Sequence, residues 1–109
     1  LGSNEDFYEK VYRVTEKIPR GRVTTYGAIA ETIGIKSSAR MVGYALNNSA
    51  ESGRQIPAHR VVNRLGQLTG RAYFPGDTMR ERLQQEGVTF MEEYTVDIEK
   101  HFWDPRLDP

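Results

Sequence analysis

Apolar residues recur at helical spacing near the start of the chain. Phe7, Val11, Val14 and Ile18 fall at i, i+4, i+7 and i+11, which puts them on one face and predicts a helix from Asp6 to Ile18. Ser3 and Asp6 have capping-box spacing, and Pro19 stops the helix. Val23-Thr24-Thr25 reads as a short extended lead-in. Either threonine can cap a helix to about Ile33, with Ile29, Ala30 and Ile33 turned inward and Gly34 closing it. Ser37 or Ser38 caps another helix, Ala39 to about Asn48, whose apolar side is Met41, Val42, Ala45 and Leu46. Two short helices joined by a glycine-containing turn form a helix-turn-helix pattern. Ser49 to Gln55 reads as loop. Val61-Val62 has strand propensity, and with Gln67-Leu68-Thr69 across Gly66 it suggests a small β-wing. Gly70 to Gly76 is a loop carrying Arg71, Tyr73 and Phe74. Asp77 can cap a helix to about Glu86 with Met79 and Leu83 inward, and Gly87 ends it. Val88-Thr89-Phe90 and Tyr94-Thr95-Val96 follow as candidate strands. Ile98 to Trp103 is too short to assign, and the end from Pro105 reads as irregular.

A chain of 109 residues supports one hydrophobic core. No apolar run approaches the length of a bilayer span. The chain has no cysteine and only two histidines, His59 and His101. Those counts exclude a disulfide framework, a thiolate metal site and a cysteine nucleophile. Net charge is zero but unevenly spread. Residues 20–64 carry seven basic side chains against two acidic ones, a net of +5. Residues 77–109 carry four against nine, a net of −5. Arginine dominates the basic stretch and suits phosphate and base-edge contacts, so the distribution admits nucleic-acid binding without requiring it.

The segment Ile56-Pro57-Ala58-His59-Arg60-Val61-Val62 resembles the active-site motif Pro-Cys-His-Arg-Val of the O6-alkylguanine-DNA alkyltransferases. The resemblance extends from Phe7 to about Phe90. It takes in Ile18-Pro19-Arg20-Gly21-Arg22-Val23-Thr24-Thr25-Tyr26-Gly27, then Ala39-Arg40-Met41-Val42-Gly43, Leu68-Thr69-Gly70 and Glu86-Gly87. Ala58 falls where that family has its nucleophilic cysteine. A methyl group has no lone pair with which to attack an alkyl carbon, so transfer to this position is chemically excluded. In this respect the chain resembles the alkyltransferase-like proteins. A transferase whose cysteine was replaced by mutation would look the same in sequence.

The resemblance implies roles for particular residues. His59 and Glu86 match the pair that relays a proton from the cysteine, which here is a vestige. Tyr26 and Arg40 match the residues that rotate the target nucleotide out of the duplex and fill the space it leaves. Ala39 and Gly43 keep the recognition helix slim against a groove, and Arg60 joins the DNA-binding set. Tyr26, Ala58, Val61 and Arg71 are expected around the flipped base, Arg71 standing where transferases usually have tyrosine. The residues alone leave plainer alternatives open: a buried His59–Glu86 pair, a solvated Arg40, a core Tyr26 and a loop arginine at 71.

These readings predict an α/β fold, a single small domain with a winged helix-turn-helix core. Residues 1–5 form a flexible start or tag remnant, 6–96 the DNA-binding domain and 97–109 an acidic C-terminal extension. The expected function is recognition of O6-alkylguanine in duplex DNA by nucleotide flipping, without chemistry, flagging the lesion for nucleotide excision repair proteins. The alternatives are the mutated methyltransferase, a winged-helix regulator of undamaged sites, and an interaction module using the acidic end. No metal or cofactor is expected. The expected state is a monomer with no membrane association, cytoplasmic and nucleoid-associated in a bacterium or nuclear in a eukaryote.

Overall fold

The first helix, α1, runs Asn4–Glu16 and buries a wider face than its apolar stripe foretells. In the computed structural model, which describes residues 4–34 and 38–107, Val11 and Ile18 are buried as expected, but so are Tyr12 and Thr15. Their polar atoms are satisfied inside: the Tyr12 hydroxyl donates to the Ala45 carbonyl at 2.8 Å and Thr15 Oγ1 to the Val11 carbonyl at 2.7 Å. The proposed Ser3 cap lies outside the described residues.

Helix α2 (Tyr26–Ile33) starts where Thr25 Oγ1 accepts the Ala28 N–H at 3.0 Å. Helix α3 (Ala39–Asn47) starts where Ser38 Oγ accepts the Met41 N–H at 3.2 Å. Each threonine or serine satisfies an amide that its helix leaves unpaired. Helices α1, α2 and α3 close one core through Val11, Ile18, Ile29, Val42, Ala45 and Leu46. A second apolar cluster lies beneath α4 (Thr78–Gln85), built on Val23, Val62, Leu68, Met79, Leu83 and Val96.

Two small sheets complete the domain. Strand β1 (Thr24–Thr25) pairs in parallel with β2 (Val61–Val62), Thr24 opposite Val61 and Thr25 opposite Val62. Strands β3 (Phe90–Glu92) and β4 (Thr95–Val96) form an antiparallel pair with an irregular register. The expected hairpin of 61–62 with 67–69 is replaced by a tight Asn63–Gln67 turn, and Gln67 bridges to Thr95 instead. Asn63 Oδ1 drives this by accepting the amides of Leu65 and Gln67. Gly66 is required in the turn: its φ is +85°, and a Cβ there would lie 2.5 Å from the Val96 carbonyl oxygen.

Residues 97–107 belong to the same packed body. Helix α5 (Ile98–His101) leads to a bridge between Val23 and Phe102, and Trp103 joins the helical core at 5% exposure. His101 is buried with Nε2 accepting the Thr89 amide at 3.0 Å. That assigns the ring proton to Nδ1, which faces the Gly21 carbonyl at 3.2 Å.

Candidate nucleic-acid interface and its cleft

The Ile56-Pro57-Ala58 segment turns sharply. Pro57 has φ −77° and ψ 62°, and the Ala58 amide donates back to the Ile56 carbonyl at 2.8 Å. This is an inverse γ-turn, whose central φ the proline ring already imposes. A single 3₁₀ turn, Ala58–Arg60, follows directly. The turn sets Ala58 and His59 into the wall of a cleft of about 790 Å³. Tyr26, the C-terminal end of α3 (Leu46, Asn47), and Tyr73, Phe74 and Pro75 of the 70–76 loop line the same cleft. Its volume lies in the range of small-molecule sites.

Beneath Ala58 lies a polar network that fixes the turn. Glu86, at the end of α4, has a side chain only 6% exposed. Its carboxylate takes a two-pronged contact from Arg60 at 3.0 and 2.9 Å, and His59 Nε2 lies 2.8 Å from Oε2. Arg60 also donates to the Ile18 carbonyl at 2.8 Å, so one guanidinium ties the ends of α1 and α4 to the turn. Burial pushes the Glu86 carboxyl up, but the bonds from Arg60 and His59 outweigh it and hold its pKa at about 2. Burial keeps the His59 imidazole below its ordinary value despite the upward pull of Glu86. A neutral His59 then donates through Nε2 to the carboxylate. Its Nδ1 is buried without a hydrogen-bond partner.

The structure unites Tyr26, Ala58 and His59 in the cleft wall. Burial raises the Tyr26 phenol, which shares a hydrogen bond with the Thr69 side chain. A Cβ at Gly70 would sit 2.9 Å from that phenol oxygen. Gly43 faces the same ring more loosely, with a built Cβ 3.9 Å from Cε1. Glycine at 43 is thus not forced by packing against Tyr26. Ala39 and Arg40 stand exposed on the first turn of α3. Arg40 and Asn47 are seven residues apart on the helix, about 10 Å along its axis.

Three expected positions differ. Val61 is fully buried in the helical core and its partner strand, not at the cleft surface. Arg60, expected to face DNA, is largely enclosed and directs its guanidinium to Glu86 and the Ile18 carbonyl. Arg71 does not line the cleft with Ala58. Its guanidinium lies 3.8 Å from the centroid of the Tyr94 ring and lines a neighbouring hollow with Gln67, Thr69 and Thr95. The aromatic face of Tyr94 holds the cation there.

Several arginines of residues 20–64 are tied to other parts of the fold while staying at the surface. Arg20 donates to the Gln85 carbonyl, and Arg22 to the carbonyls of His101 and Phe102. Arg54 bridges Glu9 and Glu16 at 2.6 Å each. Among the described residues of that stretch, Arg20, Arg22, Arg40 and Arg64 are exposed without an acidic partner, the first two bonding carbonyls instead. Sequence reasoning missed Asn47, Gln55, Tyr73 and Arg82 as cleft residues. Tyr73, 65% exposed between two glycines, carried a signal: an aromatic in a polar loop has no core to fill. No group of metal-ligand type and no membrane-length apolar helix occurs among the described residues.

The DNA-binding domain model of 6-O-methylguanine DNA methyltransferases matches residues 6–88. The chain is 37% identical over 106 residues to alkyltransferase-like protein 1 of Schizosaccharomyces pombe, covering 93% of this chain and 97% of that protein. It is 35% identical over 103 residues to the DNA base-flipping protein of Vibrio parahaemolyticus, covering 93% and 99%. In structure it is similar to S. pombe Atl1 in complex with damaged DNA containing O6-carboxymethylguanine. That likeness has a TM-score of 0.78 at 35% identity and covers 91% of this chain and 95% of the other.

Proposed function

The chain belongs to the family of 6-O-methylguanine DNA methyltransferase DNA-binding domains, and from that premise we propose that it senses O6-alkylguanine in duplex DNA without repairing it. One observation carries the reading: Ala58, which falls at the cysteine of the motif it resembles, stands in the wall of the cleft. No cysteine occurs anywhere in the chain to replace it. The cleft nonetheless keeps its shape through the Arg60–Glu86–His59 network. A flipped purine enters between Tyr26 and the 70–76 loop and rests against the Ala58 methyl. Arg40, exposed at the start of α3, enters the duplex and supports the base left unpaired. The intact lesion then marks the site for nucleotide excision repair. A monomer suffices, since every residue invoked lies in one chain.

A sequence-specific regulator would need donors and acceptors along the exposed side of α3. Ala39, Met41 and Gly43 supply none from their side chains, which leaves Arg40, Tyr44 and Asn47 as the exposed polar groups of α3. The test is paired titration of matched duplexes with and without one O6-methylguanine, run beside a transfer assay with a labelled methyl group. The expected result is a preference of at least about tenfold for the lesion, a difference of about 1.4 kcal/mol, with no label on the protein. Equal affinity for both duplexes, or stoichiometric label on the chain, would overturn it.

A further inference from the structure

The Arg40 guanidinium is not loose. Its Nε donates to the Tyr44 hydroxyl at 2.6 Å, and its central carbon lies 5.7 Å from the centroid of the same ring. The two residues are four apart on α3, so they sit one above the other on one face. Both are exposed, Tyr44 at 47%. An aromatic ring that exposed makes no core contribution that would explain its presence. Asn48 Nδ2 donates to the Tyr44 carbonyl at 2.8 Å, closing the helix end just behind it.

From this geometry we infer that Tyr44 is a positioning residue for Arg40, holding the guanidinium ready on the groove-facing side of α3. The inference rests on the reading of α3 as the DNA-facing helix. The choice of nitrogen is what matters. Nε belongs to the stem of the side chain, and tying it to the phenol oxygen fixes the stem's direction. The two terminal amino groups have no protein partner among the described residues, and these are the groups that can face an orphaned base or a phosphate. An untethered arginine loses most of its rotamer freedom on entering the duplex. Here part of that ordering is already done in the free protein, which is how preorganisation raises affinity. No acidic side chain pairs with Arg40 among the described residues, so the tether leaves its charge available to DNA.

The test is a double-mutant cycle on full-length protein with O6-methylguanine and unmodified duplexes, read by affinity and by fluorescence of a base analogue opposite the lesion. Tyr44→Phe keeps the ring and removes only the hydroxyl. It is expected to weaken lesion binding about two- to tenfold, the equivalent of ordering one long side chain, and to lower the flipping signal at matched saturation. In an Arg40→Ala background the same change is expected to do nothing. Unchanged binding by Tyr44→Phe overturns the inference, as does an equal loss with and without Arg40, which would mean that Tyr44 touches DNA by itself. Failure of the wild type to prefer the lesion duplex overturns the lesion-sensing reading instead, so the two failures are distinct.

Discussion

Glu86→Gln changes one atom type in a site where three hydrogen bonds converge. The amide presents a single acceptor oxygen, so in either orientation its NH₂ meets an Arg60 N–H, and in one of them His59 as well, donor against donor. Arg60 is left largely enclosed, its side chain 16% exposed, with no counter-charge. Breaking a buried pair by removing one partner costs about 3–5 kcal/mol. The titration of Glu86 gives a second route to the size of the effect. Its pKa falls from 4.5 to about 2 on folding, which amounts to about 3 kcal/mol at neutral pH. A domain of this length has roughly 5–15 kcal/mol in all, so the substitution removes a large share. Urea unfolding at pH 7 should show the midpoint fall with an unchanged slope. The pH dependence follows with a definite sign. The depressed carboxyl stabilises fully above the unfolded value near 4.5, and that contribution disappears as pH falls toward about 2. His59 acts in the same direction. Its lowered pKa means that the unfolded chain binds the proton first, so stability already declines as pH drops below the ordinary histidine range. Glu86→Gln should flatten the acid limb below pH 5. A loss under about 1 kcal/mol at pH 7, or an acid limb that keeps its wild-type steepness, would falsify the network account.

Gly70→Ala places a methyl 2.9 Å from the Tyr26 hydroxyl; the phenol must move, and lesion affinity should drop about tenfold or more while thermal stability, read by circular dichroism, shifts little. Gly66→Ala meets the Val96 carbonyl at 2.5 Å with φ +85° and should cost at least about 2 kcal/mol, combining left-handed strain with displacement of β4, as measured by chemical unfolding. Trp103→Ala should cost about 3–5 kcal/mol, because the indole is part of the helical core; a chain that unfolds at the wild-type urea midpoint would show that residues 97–107 are dispensable.

The helix pair was legible because its ends are local chemistry. Thr25 and Ser38 bond amides three residues on, and nothing distant decides that. The second half of the fold was less legible. Strands of two residues carry no alternation to read, so the parallel pairing of Thr24-Thr25 with Val61-Val62 left no pattern in the chain. The placement of the charges was hidden for a related reason. Arg20 and Arg22 bond carbonyls 65 to 80 positions away, and composition does not disclose which arginines a fold will consume. The acidic C-terminal stretch hid a core tryptophan among charges. Of the residues expected around the base, Tyr26 and Ala58 line one cleft, and His59, expected beside Glu86, joins them there. Val61 lies away from the cleft because β2 is covered on both sides, Val61 entering the helical core and Val62 the second cluster.

His59 and Glu86 have a structural role in the contacts they make. The two residues that would serve a cysteine also hold the turn bearing position 58, through Arg60, to the ends of α1 and α4. Removing either side chain would strip a buried partner from the others, so both residues have a structural role that requires no thiol. That same rigidity serves a sensor. A transferase needs its cleft only until one alkyl group has moved, whereas a binder that changes no bond must hold the lesion for as long as the signal lasts, so its dissociation rate sets its output. The wall opposite Ala58 is held from outside the cleft. Arg71 stacks on Tyr94, and Phe74, which borders both the cleft and that outer hollow, separates the pair from whatever the cleft contains. Arg71 on the Tyr94 face ties down the loop that carries Tyr73 and Phe74, and its guanidinium would have to leave that face to enter the cleft.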